Sequence, residues 1–164
     1  PYPSQTKNLH HEMELVVAIG TGGANIGTGD ALKHVWGWCA GLDMTRRDLQ
    51  GEAKKAGRPW SFGKDFEQAA VISPLRRASE IGHPARGAIQ LSVNGQLKQS
   101  GDLSDMIWSV PEVVANLSAY YHLGPGDLIY TGTPEGVGAV QPGDVLNGRI
   151  EGVGEIALTI GAPQ

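Results

Sequence analysis

Glu12 and Glu14 stand two residues apart in the run Glu12–Gly20, EMELVVAIG. Such an alternating run predicts a strand, and in a strand side chains i and i+2 point the same way, so both carboxylates share one face. Met13, Leu15, Val17 and Ile19 then turn to the opposite face, into apolar packing. Two carboxylates crowded on a half-buried sheet repel each other unless one is protonated or a cation compensates them. Asp43 ends a second predicted strand, Trp36–Asp43, and offers a third oxygen ligand. An all-carboxylate site favours a hard cation, Mg²⁺ first, then Mn²⁺ or Ca²⁺, with coordination positions left for water and a bidentate substrate. The same E-x-E spacing also fits an ordinary solvated strand face.

Further groups with chemistry to offer lie downstream. Arg47 and Gln50 are three apart on a predicted helix and share one face. A cation and an amide beside a metal suit a ligand carrying a carboxylate and a keto oxygen. Arg46, Asp48 and Glu52 read as charged helix surface. Lys64 sits between glycine and aromatics in Phe62–Phe66, FGKDF, where a rigid, partly desolvated ammonium would stabilise a developing enolate. A snorkelling surface lysine is the plain alternative. The loop Thr131–Gly138 follows a strand directly; its backbone N–H groups, Gly132 among them, and its Thr131 and Thr133 hydroxyls could grip a carboxylate. An ordinary inter-strand turn explains it equally well.

Other chemistries lack their motifs. No phosphate-binding G-x-x-x-x-G-K-[ST] occurs, and Gly20–Gly29 fails the dinucleotide G-x-G-x-x-G spacing. No G-x-S-x-G elbow or H-E-x-x-H pair is present. His10 and His11 precede the acidic pair and fit an outer shell around it; His34, His83 and His122 read as structural or exposed. Cys39, the single cysteine, lies between Trp38 and Ala40 and reads as a buried structural thiol. With no intrachain disulfide possible, a cytoplasmic location is expected. A net charge of −4 with only isolated basic pairs argues against nucleic acid as the partner. No membrane-length apolar run argues for a membrane.

The elements that must position these groups follow from composition and turn signals. The 164 residues suit one domain, and 24 glycines and 10 prolines suit many short strands. A glycine-rich loop covers Thr21–Gly29, a short helix Asp30–Val35, and a helix Arg46–Ala56 with Thr45 as N-cap and Gly57 as stop. Arg58–Ser73 reads as loop. Asn94-Gly95 supplies a type I′ turn between strands Ala88–Val93 and Gln96–Gln99. Ser109 and Glu112 form a capping box for a helix to about Tyr121. Strands Leu128–Thr131, Val145–Ile150 and Glu155–Ile160 complete a single, mostly β domain. Pro1 is not an initiator, and the segment that follows reads as chain already under way, so an upstream portion is expected.

In order, E-x-E, D-x-x-x-R-D-L-Q, W-x-x-G-K-x-F, V-N-G and T-G-T-P-x-G-V-G fall at Glu12–Glu14, Asp43–Gln50, Trp60–Phe66, Val93–Gly95 and Thr131–Gly138. This series resembles the fumarylacetoacetate hydrolase family over nearly the whole chain, nearest to bacterial members that cleave fumarylpyruvate in gentisate breakdown. The resemblance implies an α+β, mostly β domain, a mixed β-sandwich or β-roll of the family's C-terminal type. It implies Mg²⁺ or Mn²⁺ on Glu12, Glu14 and Asp43, and a homodimer. It also implies contacts to a small diketo-acid substrate from Arg47, Gln50, Lys64, Gly132 and Thr133, with Lys64 steadying an enolate. The family's water-activating His–Glu pair would belong to an upstream lid, and no general base is assigned here. The implied activity is hydrolysis of the C–C bond of an acylpyruvate. The alternatives are oxaloacetate decarboxylation, isomerisation of 2-hydroxyhepta-2,4-diene-1,7-dioate, or a non-catalytic metal-binding β-sandwich.

Overall fold

The apolar alternation of Met13, Leu15, Val17 and Ile19 sets the axis of the fold. In a computed structural model describing residues 1–163, these side chains pack with Trp38, Ala40, Leu42, Leu91, Leu146 and Ile156 in one buried cluster. Three sheets surround it, and every pairing between their strands is antiparallel.

Strands β1 (Leu9–His11), β2 (Met13–Ile19), β3 (Val35–Asp43) and β4 (Thr45–Arg46) come first, then helices α1 (Arg47–Lys55) and α2 (Ser61–Lys64). Strands β5 (Ala70–Ile72) and β6 (Arg76–Arg77), the short helix α3 (Ala78–Ile81) and the hairpin β7 (Ala88–Val93) and β8 (Gln96–Asp102) follow. Helix α4 (Val110–Tyr120) precedes β9 (Leu128–Tyr130), β10 (Gly138–Val140), β11 (Val145–Ile150) and β12 (Gly154–Thr159). The sheets run β5-β3-β2-β9, β12-β11-β7-β8 and β10-β1-β4, with β6 also on β3.

The first two sheets face each other across the core. Where they meet, an added Cβ at Gly148 would lie 2.6 Å from Met13 Sδ, so glycine on β11 makes room for the buried Met13 side chain. The architecture is thus the expected α+β, mostly β arrangement. Asn94 and Gly95 both have positive φ, 52° and 77°, as a type I′ turn demands. Glu112 accepts from the Ser109 N–H at 2.7 Å, the predicted cap of α4.

Three expectations are corrected. Thr45 does not cap α1: it pairs with His10 in β4, its hydroxyl donates to Asp43 O, and α1 begins at Arg47. Arg58–Ser73 is not all loop, since it contains α2 and β5. The β8 strand runs to Asp102, three residues beyond the expected end.

Candidate metal and substrate site

Antiparallel register brings the acids together. Met13 pairs with Leu42 and Glu14 with Gly41. The Asp43 N–H donates to Glu12 O at 2.9 Å, which sets Asp43 opposite Glu12. Directly opposed residues share a face, so Glu12, Glu14 and Asp43 project together. Glycine opposite Glu14 makes room for the Val16 and Tyr130 side chains: a Cβ at Gly41 would lie 2.8 Å from Tyr130 Cε1. One oxygen from each of the three acids lies within 4.8 Å of the others, with Glu12 and Glu14 buried.

Helices α1 and α2 bring cations to this cluster. Asn8 O accepts the Arg47 N–H at 2.8 Å, which starts α1 against the end of β1. From this first turn Arg47 reaches back, Nη2 donating to Glu12 Oε1 at 2.5 Å and Nη1 to Gln50 Oε1 at 2.7 Å. Lys64 closes α2, and its Nζ bridges Glu12 Oε2 at 2.7 Å and Asp43 Oδ2 at 2.5 Å. The two helices touch where an added Cβ at Gly63 would lie 2.9 Å from Gln50 Cβ, so glycine beside Lys64 lets α2 pack closely on α1. Lys64 is therefore no snorkelling surface lysine.

The three acids differ in electrostatic setting. Burial pushes the Glu12 carboxyl up, but its bonds from Lys64 and Arg47 outweigh burial and leave its pKa below the usual value. Burial raises Asp43, and Lys64 offsets this only in part. Glu14 has no cationic bonding partner among the described residues. It accepts the Gly132 N–H at 2.7 Å, while burial and the neighbouring Asp43 and Glu12 charges push its pKa up to about 7. Three converging hard oxygen donors, one of them short of compensating charge, fit a divalent cation. Glu12, Glu14 and Asp43 would hold it.

Glu14 yields a pH prediction. Its pKa rises from 4.5 to about 7 on folding, so its penalty is absent below pH 4.5 and grows to full size above pH 7. Metal-free protein is expected to lose stability through that window, by roughly 3 kcal/mol at about 1.4 kcal/mol per pKa unit. Melting of chelator-treated protein against Glu14→Gln across pH 4.5–8 checks this. A stability difference between the two that does not change with pH excludes it.

The loop Thr131–Gly138 meets the site differently from expectation. Its Thr131 and Thr133 hydroxyls donate to Leu15 O and Met13 O, both at 2.8 Å. Their protons are thus spent on β2 and not offered to a carboxylate, while the Gly132 N–H goes to Glu14. Other residues have roles that local sequence did not signal. Asp48 accepts from Thr6 Oγ1 at 2.6 Å and the Lys7 N–H at 3.0 Å, clipping the first residues to α1. Arg46 stacks over Phe66, 4.4 Å from the ring centroid. His11 bonds Gln99, and His10 bonds Asn8. Cys39 is fully buried, which pushes its thiol up to about 11, the inert state expected of it.

Residues 1–161 match the family described as fumarylacetoacetate (FAA) hydrolase C-terminal. The chain belongs to the fumarylacetoacetate hydrolase family. A fumarylpyruvate hydrolase of Ralstonia sp is 54% identical over 160 residues, covering 98% of this chain and 83% of the relative. The mitochondrial oxaloacetate tautomerase of Bos taurus is 38% identical over 162 residues, 99% of this chain and 73% of the relative. The crystal structure of fumarylpyruvate hydrolase from Pseudomonas aeruginosa, in complex with Mn²⁺ and pyruvate, superimposes with a TM-score of 0.96 at 52% identity. It covers 98% of this chain and 69% of that one. No described helix of this family member is long and apolar enough to cross a membrane.

Proposed function

We propose that this protein hydrolyses the C–C bond of fumarylpyruvate, giving fumarate and pyruvate, at the cluster of Glu12, Glu14, Asp43, Arg47, Gln50 and Lys64. One observation carries the reading: the Lys64 ammonium bridges Glu12 and Asp43 inside the three-carboxylate cluster, where a merely structural cation site has no use for it. The 54% identity to the Ralstonia fumarylpyruvate hydrolase supplies the substrate.

A divalent cation, Mg²⁺ or Mn²⁺, bound by the three acids would polarise the 2-oxo-carboxylate end of the diketo acid and balance the acids' charge. The chain's own groups do the rest. Arg47, held between Glu12 and Gln50, presents its guanidinium to the substrate carboxylate. Gln50 and the Thr133 hydroxyl oxygen complete the orientation, while the Gly132 N–H holds Glu14 in place. Water adds to the distal carbonyl, the C–C bond to the pyruvate methylene breaks, and the acyl group leaves as fumarate. The bonding electron pair passes into a pyruvate enolate, which Lys64 steadies until the enolate carbon is protonated. No described residue is assigned as the base that activates the water. A cytoplasmic homodimer, its catalytic domain continued by an upstream lid, completes the reading.

A second reading rests on the tautomerase relatives: the same cluster would interconvert keto and enol forms of oxaloacetate, or remove its carboxylate, without a hydrolytic water. Turnover of the full-length protein on fumarylpyruvate and oxaloacetate, with Mg²⁺, with Mn²⁺ and with chelator, separates the two. Metal-dependent pyruvate release from fumarylpyruvate supports hydrolysis; activity confined to oxaloacetate replaces it with the second reading.

A further inference from the structure

Gln99 is a fully buried amide with no place in the chemistry so far. Its Oε1 accepts the Met13 N–H at 3.1 Å and lies 2.9 Å from His11 Nδ1. Its Nε2 donates to Thr133 Oγ1 and to Pro134 O, both at 2.8 Å. Two main-chain groups fix the amide's direction. The Met13 N–H can only donate, so an oxygen must face it; the Pro134 carbonyl can only accept, so a nitrogen must face that. Every other proton follows. His11 carries its proton on Nδ1. Thr133 accepts from Gln99 and therefore turns its own proton to Met13 O, 2.8 Å away. One lone pair of the hydroxyl remains for a ligand, which suits the enol hydroxyl of a 2,4-diketo acid better than a carboxylate oxygen.

Met13 lies between Glu12 and Glu14, and Thr133 follows the Gly132 N–H that binds Glu14. One side chain on β8 thus ties the peptide joining two candidate metal ligands to the loop that borders the substrate. We infer that Gln99 is a positioning residue for the reaction: it sets the direction of the Thr133 hydroxyl and the height of its loop above the acids. The inference rests on the substrate contact assigned to Thr133 above.

Gln99→Glu, as a carboxylate paired with the His11 Nδ1 proton, keeps the acceptor toward Met13 and His11 but removes both donors toward the loop. In the full-length protein it is expected to raise KM for fumarylpyruvate on the order of tenfold, the equivalent of about one hydrogen bond, with a smaller change in kcat. Thr133→Val should raise KM similarly, and the double variant should be little worse than either single one, because both act on the same hydroxyl. A merely structural Gln99 would instead lower the melting temperature and leave KM alone. If Gln99→Glu does not fold, Gln99→Met, apolar and of similar length, takes its place in the same cycle. Unchanged KM in a folded Gln99 variant, or effects that multiply fully with Thr133→Val, overturns the inference alone. Unchanged KM in Thr133→Val removes the substrate contact, and this inference goes with it.

Discussion

Glu14→Gln is expected to abolish metal-dependent turnover while making the metal-free protein more stable at neutral pH. The two effects have one cause. Glu14 is buried, faces Asp43 and Glu12, and receives only the Gly132 N–H in return. Its charge is therefore costly to the fold and of use only when a cation shares the cluster. Glutamine retains the shape and an acceptor for Gly132 but neither the charge nor a strong hard-oxygen ligand. Loss of an outer-shell partner typically weakens metal affinity ~10–100-fold, so loss of a direct ligand should exceed ~10²-fold. Turnover should fall on the order of 10³-fold, since both charge stabilisation and substrate chelation suffer. Mn²⁺ titration, turnover at saturating metal and melting above pH 7 read the three consequences separately. Normal metal-dependent turnover in Glu14→Gln would remove Glu14 from the site. A melting temperature lowered above pH 7 would show that its charge is compensated by some other group.

Such a stability–function conflict is a local rule broken for a purpose, and it explains what the sequence could and could not disclose. That Glu12 and Glu14 share a face is a consequence of strand period alone. That Asp43 lies opposite Glu12 is a matter of register between strands about 30 residues apart, and no local pattern fixes it. Gly41, which makes room opposite Glu14 for Val16 and Tyr130, is likewise silent until the pairing is known. Thr45 carries the side chain of an N-cap, yet pairing with β1 claims it. That partner strand has only three residues, too few to show alternation. Helix α2 has four residues and no periodicity; its position comes from Gly63 packing on Gln50. Gln99 gave least warning, because glutamine in a hairpin strand is ordinarily exposed and its partners lie far away along the chain. Asp43 and Lys64 were legible through the ordered motifs of the family, whereas the partners of Thr45 and Gln99, set by contact between distant elements, were not.

Lys64→Met should separate binding from chemistry. Methionine keeps most of the stem's length and packing but removes the ammonium that bridges Glu12 and Asp43. If that ammonium steadies an enolate, its interaction strengthens as charge moves onto oxygen, so kcat should fall ~10²–10³-fold, the scale of a lost oxyanion donor. KM should change far less, because Arg47 and Gln50 still hold the carboxylate end. Lys64→Arg should not rescue, since a planar guanidinium cannot place one donor between two carboxylates as a compact ammonium does. Enolate formation is common to hydrolysis of fumarylpyruvate and to tautomerisation or decarboxylation of oxaloacetate. Whatever activity the protein has on each substrate should therefore fall by a similar factor, while only the hydrolysis needs a water activated by a group not yet assigned. A rise in KM at constant kcat would make Lys64 a binding group and leave the enolate to the metal alone. A loss confined to fumarylpyruvate would place Lys64 at the water-addition step, ahead of C–C cleavage.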